Sequence, residues 1–231
     1  MTVSPRETFD KQLKDVLDNL LVMGSIVEDS IKASVDYLKQ RDLEGSKRII
    51  RADLKINQKH FEIENQCLLL IATQQPMARD VRLLAAILEI STELERIGDY
   101  AKGIGKINLL LGTQSLVKPL IDIPHMAEIS IDMLHRALGA FVAGDIETAR
   151  AIPLEDDKVD QLYNQVYREL LTYMIADTST IDRGNYLLWA AHNLERMADR
   201  VTNICERTLY MVTGEMSEMD QSYDELGDIG E

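Results

Sequence analysis

The 231-residue chain is 45% hydrophobic and 28% charged, with 12 Gly, 5 Pro and a net charge of −14. That length allows one large domain or two of roughly 100 residues, and so few Gly and Pro argue against a sandwich or barrel that turns about every 10 residues. The acidic balance argues against nucleic acid as a partner, since phosphate contacts need clustered Lys and Arg.

The first segment, Met1 to Asp15, is largely polar, with acids and bases in balance, where a signal peptide needs a basic start and an apolar middle. The longest apolar run is Leu68-Leu69-Leu70-Ile71-Ala72, far short of the ~20 residues that span a bilayer. Cys67 and Cys205 form no CxxC pair, which suits a reducing compartment and two buried, inert thiols. A soluble cytoplasmic protein is expected.

Helix signals begin at Ser4-Pro5-Arg6-Glu7, with Ser at the N-cap, Pro at N1 and Glu completing a capping box. Leu13, Leu17, Leu20, Val27, Ile31 and Leu38 then mark one helix face. Arg41-Asp42 and Gly144-Asp145 read as breaks, each with Asp capping the next helix. Gln75-Pro76 ends a second helix and opens a third with Pro at N1. Ser179 with Asp182 starts the last helix. The pattern predicts six helices, at about 5–40, 43–74, 77–111, 124–142, 145–176 and 179–213. Pro153 should kink the fifth or delay its start.

The third helix carries the clearest seam: Leu83, Ile87, Ile90, Leu94, Ile97, Ala101 and Ile104. Shifted by 100 residues, Leu187, Ala190, Leu194, Met197, Val201 and Ile204 repeat it. The letters repeat too. Leu94-Glu95-Arg96-Ile97-Gly98-Asp99 matches Leu194-Glu195-Arg196-Met197-Ala198-Asp199, and Asp53-Leu54-Lys55-Ile56-Asn57 matches Asp156-Asp157-Lys158-Val159-Asp160. The chain reads as an all-α internal duplication of two tandem three-helix bundles, 1–113 and 114–214. Residues 215–231 hold seven acids and no base, the composition of a disordered tail.

The repeated ExxxD is the candidate chemistry. Glu95 and Asp99 share a helix face, as do Glu195 and Asp199, beside the core seam. Alone the motif is weak, since 39 acids in 231 residues give about six or seven such pairs by chance. Counting from the hairpin turns strengthens it: Asp53 and Asn57 fall level with Glu95 and Asp99, and Asp156 and Asp160 with Glu195 and Asp199, within ~3 Å of height. Each repeat can gather four oxygen-bearing side chains, a donor set for Mg²⁺, Ca²⁺, Mn²⁺, iron or zinc. The bland reading is charge balance on a solvated face, through neighbours such as Asp99 and Lys102 or Glu195 and Arg196. No Glu-x-x-His pair of a di-iron bundle occurs. His60, His125, His135 and His192 are scattered, and no P-loop, dinucleotide turn or nucleophile elbow is present. Nothing looks built for catalysis.

One asymmetry stands apart. Lys39, Arg41, Lys47, Arg48, Arg51, Lys55 and Lys59 make 39–59 basic, whereas 142–162 in the second unit is acidic. Such a field steers a chain toward an acidic partner face or the anionic cytoplasmic leaflet; the alternative is an ordinary solvated helix.

Two units, each pairing a D-x-x-x-[ND] helix with an [LI]-E-R-x-[GA]-D helix, resemble the PhoU family of phosphate-uptake regulators. Gln75-Pro76-Met77-Ala78-Arg79-Asp80-Val81-Arg82 is similar to that family's Q-P-x-A-x-D-[LV]-R turn, and Tyr210-Met211 with Gly214 to its closing Y-M-x-x-G. The match covers about 5–214. It implies two three-helix bundles with metal clusters at Glu95, Asp99, Glu195 and Asp199, faced by Asp53, Asn57, Asp156 and Asp160. Asn57 departs from the usual Asp, leaving the first set one carboxylate short. The resemblance also implies a role beside the phosphate-specific ABC transporter and its sensor histidine kinase, restraining both when phosphate is plentiful. The expected protein is a non-catalytic cytoplasmic adaptor and homodimer holding divalent or trivalent cations (iron, zinc, manganese or magnesium). The competing reading is a metal-storage or metal-dependent hydrolytic bundle, which substrate turnover would favour.

Overall fold

A computed structural model describes residues 5–216 and Met219; the expected N-cap at Ser4 and most of the acidic tail lie outside them. The described residues contain no strand. Three long helices, α1 (Pro5–Gln40), α2 (Leu43–Gln74) and α3 (Ala78–Leu111), form the first bundle. The second contains α4 (Asp122–Ala143), α5 (Ile146–Ala151), α6 (Asp156–Ala176) and α7 (Ile181–Thr213). Here α5 and α6 together take the place of one helix. Pro153 explains the break: it opens a 3₁₀ turn, Pro153–Glu155, between them, because proline has no N–H for the helical ladder.

The first turns of both units use the same device. Asp42 accepts from the Gly45 N–H at 2.8 Å, and Asp145 from the Thr148 N–H at 3.1 Å, as expected of Asp at an N-cap. The residue before each cap is left-handed, Gly144 at φ 65° and Arg41 at φ 59°. Glycine takes that conformation freely, whereas a side chain resists it by about 1–2 kcal/mol. Arg41 is held there by its guanidinium, which donates to Asn108 Oδ1 and, at 2.7 Å, to the Gly112 carbonyl. The fully buried Asn108 in turn donates to the Tyr37 carbonyl at 3.0 Å and to Ser46 Oγ at 2.8 Å. One polar node therefore pins α1, α2 and α3 together.

Two expected helix starts are displaced. Pro76 is not at N1: Gln75 closes α2 in the left-handed region at φ 47°, Met77 is extended, and α3 begins at Ala78. The proline serves the extended connection instead. Ser179 is not a cap either. Asp177 takes that role, accepting from the Ser179 N–H at 2.9 Å, and a 3₁₀ turn, Thr178–Thr180, precedes α7. A carboxylate two residues upstream supplies the capping oxygen first.

The duplicated seams build the core. Ile87, Ile90, Leu94, Ile97, Ala101 and Ile104 are fully buried, and so are Leu187, Ala190, Leu194, Met197 and Ile204; Leu83 is half-buried. The two seam helices, α3 and α7, pack on each other at the centre of the molecule, with α2 and α6 outside them. The crossing is pseudo-symmetric: Asn193 of α7 reaches the Tyr100 carbonyl of α3 at 3.5 Å, while Glu93 of α3 reaches Asn203 of α7 at 3.2 Å. Beside this, α1 packs on α4, where the absence of a side chain at Gly24 admits Leu138. Cys67 and Cys205 are buried as expected, and burial pushes both thiols up to about 12, leaving no reactive thiolate. No described helix is long and apolar enough to cross a membrane.

Candidate metal centres

The seam that buries Leu94 and Leu194 leaves the next residue, Glu95 or Glu195, half-buried at the edge of the core. From there it faces the neighbouring helix of its own hairpin, α2 in the first unit and α6 in the second. The register counted from the turns brings the acidic groups into one another's fields.

In the second unit, burial is the largest effect on Asp156, and the fields of Asp199, Asp160 and Glu195 follow; together they raise its carboxyl to about 7. Glu195 is likewise raised to about 7, by burial first, then Asp199, with Asp160 adding and Arg196 opposing. The four predicted side chains of this repeat thus form one electrostatic cluster. Asp160 is exposed and Asp199 half-buried. Arg196 pairs with Asp199 at 2.5 Å, and His192 Nδ1 lies 3.1 Å from Glu195 Oε2. Tyr163, on α6, also feels Glu195.

In the first unit a cation is built in. Lys102 Nζ lies 2.7 Å from Asp53 Oδ2 and 3.1 Å from Asp99 Oδ1. Asp53 is 4% exposed, whereas the Asp99 side chain is 50% exposed. Hydrogen bonding to Asp53 is the largest influence that raises the Lys102 ammonium, so the charge is firmly held. Glu95 is raised by burial, then by Asp99 and Asp53, with His60 and Lys102 opposing. Asn57 is half-buried on α2.

Orphaned atoms sharpen the picture. Among the described residues, the buried carboxylate and amide oxygens that accept no hydrogen bond are Asp53 Oδ1, Asn57 Oδ1, Asp156 Oδ1 and Glu195 Oε2, the last with the His192 ring nitrogen 3.1 Å away. All four belong to the predicted ligand set. An unsatisfied buried acceptor costs about 1–3 kcal/mol, and oxygen acceptors beside like charges are what a hard cation satisfies. No three His, Cys, Asp or Glu side chains among the described residues stand as a ready-made cage. The donor chemistry of the second cluster therefore fits a cation. In the first an ammonium already holds two carboxylates, Asp53 and Asp99, whereas in the second the Arg196 guanidinium lies on Asp199.

In the sequence Lys102 is legible only as charge balance for Asp99, and His60 and His192 only as scattered histidines. His192 stands one helical turn before Glu195, and that i,i+3 spacing was the available signal. His60 is recognisable only in the fold, where its Nδ1 lies 3.2 Å from Ser91 Oγ.

The PhoU domain model matches this chain twice, over residues 20–107 and 123–208. The chain belongs to the PhoU family. Each match contains one of the acidic clusters. The phosphate-specific transport system accessory protein PhoU of Escherichia coli K12 is 36% identical over 207 residues, covering 90% of this chain and 86% of that protein. The PhoU homolog of Caulobacter vibrioides NA1000 is 35% identical over 216 residues, covering 93% of this chain and 94% of its own. Crystal structures of PhoU from Pseudomonas aeruginosa and of the phosphate transport system regulatory protein PhoU from Streptococcus pneumoniae superpose with TM-scores of 0.85 and 0.84. They are 33% and 32% identical, each covers 90% of this chain, and they are matched over 100% and 99% of their own length. The all-α fold of two three-helix bundles is that of the PhoU structures.

Proposed function

We propose that this chain is a non-catalytic cytoplasmic regulator of phosphate uptake and phosphate-starvation signalling. It acts on the ATPase of the phosphate ABC transporter and on the sensor histidine kinase, as a homodimer. The observation that carries the reading is the double PhoU match, over the same two units that hold the repeated acidic clusters. The accessory-protein names of relatives that share some nine-tenths of the chain support it.

In this reading Asp156, Asp160, Glu195 and Asp199 hold an iron, zinc, manganese or magnesium ion between α6 and α7. A bound cation supplies charge neutralisation and a cross-link, not turnover. The chain's own residues do the rest: Arg196 restrains Asp199, and the α3–α7 packing fixes α7 against the first unit. Loss or gain of charge at this cluster therefore bears on the helix at the centre of the molecule.

Deleting the gene and following phosphate uptake with a starvation reporter tests the role. Deletion should leave the reporter on at high phosphate, and the wild-type gene should restore repression. A reporter that stays repressed in the deletion strain overturns the regulatory reading. For the ion, Glu195→Ala with Asp199→Ala should remove bound metal while helicity is kept; unchanged metal content would rule out this cluster.

A further inference from the structure

The two clusters occupy equivalent places in a duplicated fold, yet they differ at two positions that matter to a cation. Lys102 lies three residues after Asp99; its counterpart, three residues after Asp199, is Thr202. The Lys102 ammonium lies between the nearly buried Asp53 of α2 and Asp99 of α3, 2.7 and 3.1 Å from their oxygens. That is where a cation bridging the two helices would sit. Thr202 is 8% exposed and brings no charge, and its own Oγ1 has no hydrogen-bond partner. The first set is also poorer in ligands, with Asn57 where the second has Asp160. Asn57 donates no anionic charge to a metal, and an ammonium already neutralises one of the three carboxylates.

We propose that the first unit fills its own cation position with the Lys102 ammonium, so that metal loading belongs to the second unit alone. The duplication has thus produced one self-neutralised bundle and one ion-dependent bundle. In the first, the cation that links α2 and α3 is a side chain of the protein itself and is always present. In the second, the link between α6 and α7 depends on ion supply. This inference rests on the metal reading of the second cluster, and the two can fail separately.

The test uses the full chain, stripped with a chelator and then dialysed against manganese, zinc or, without oxygen, ferrous chloride. Bound metal per chain is read by elemental analysis. Glu95→Ala with Asp99→Ala should bind as much as the wild type, whereas Glu195→Ala with Asp199→Ala should bind none. Lys102→Thr should bind at least one more ion per chain than the wild type, and Thr202→Lys should lose the ion it had. A loss of metal in the Glu95/Asp99 variant, or no gain in Lys102→Thr, overturns the proposal while leaving the second site standing. A wild type that binds none of the three ions sinks the metal reading. The role of Lys102 is then decided by melting of the ion-free protein: Lys102→Thr and the stem-preserving Lys102→Met should each melt about 3–6 °C lower. If both melt at or above the wild type, the ammonium is not the first unit's cation.

Discussion

Glu93 of α3 and Arg200 of α7 meet at 3.4 Å, with side chains 9% and 18% exposed, and Asn203 donates to the same Glu93 Oε2 at 3.2 Å. This contact ties one unit to the other in a largely dry setting. Removing the acceptor would leave the arginine poorly solvated and the amide unpaired. Glu93→Ala should therefore destabilise the protein by about 2 kcal/mol in denaturant unfolding, whereas Glu93→Gln, which keeps an acceptor, should recover about half. Equal effects from both variants would show that the charge, not the hydrogen bonding, carries the contact.

The raised carboxyls at Asp156 and Glu195 set a pH dependence for the ion-free protein. Both ionise near pH 7 when folded but near their ordinary values of 3.8 and 4.5 when unfolded. The folded state then binds protons more tightly. The resulting stabilisation is complete below pH 4 and is lost as pH rises toward 7. Glu195→Gln should flatten the fall in melting temperature across that window, and saturating metal should reverse it. Ion-free melting curves from pH 4 to 7.5 measure both.

The basic stretch of α2 gives a third expectation. Lys47 and Arg48 are exposed, pairing with Glu44 at 2.6 Å and Asp42 at 3.2 Å, and Arg48 covers the Tyr37 ring. Exposed pairs of this kind contribute about 0–1 kcal/mol, so the charges are available for steering. Changing Lys47, Arg48 and Arg51 to Gln should keep helicity and metal content but slow binding to membranes carrying the phosphate transporter. Wild-type binding should weaken as salt rises. Equal rates for variant and wild type, both insensitive to salt, would reduce this stretch to a solvated face.

Beyond α7, Met219 is half-buried against the core, and its N–H donates to Glu206 Oε1 at 2.8 Å. A chain ending at Met219 should melt about 2–4 °C above one ending at Gly214, the effect of roughly one kcal/mol in a protein of this size. Identical melting temperatures would show that this contact adds nothing.

The long helices were legible because each level of the sequence agreed: Asp caps at 42 and 145, a proline at the break in the fifth helix, and two seams with the same spacing. The clusters were legible because an i,i+4 pair and a hairpin register are both geometric. What escaped depends on competition between nearby groups. Asp177 outcompetes Ser179 for the cap, and left-handed Gln75 displaces the start of α3 past Pro76. Lys102 was visible beside Asp99, but its reach across to Asp53 on α2 is a property of the folded hairpin. The acidic composition of 215–231 likewise hid one apolar residue, Met219, that finds the core.

Because α3 and α7 are copies of one helix, their crossing is an isologous contact enclosed within a single chain. Each of these helices presents the other with a face descended from the same surface, as two subunits of a symmetric dimer do. The two units are joined by residues 112–121, between the end of α3 and the start of α4. Nothing in the chemistry of the crossing requires both halves to come from one polypeptide. If the connection opened, α3 of one chain could dock on α7 of another and form the same interface in trans, an exchange of whole bundles rather than a new surface. A single unit expressed alone would expose that face, and its self-association would measure how strongly the face pairs with a second copy of itself.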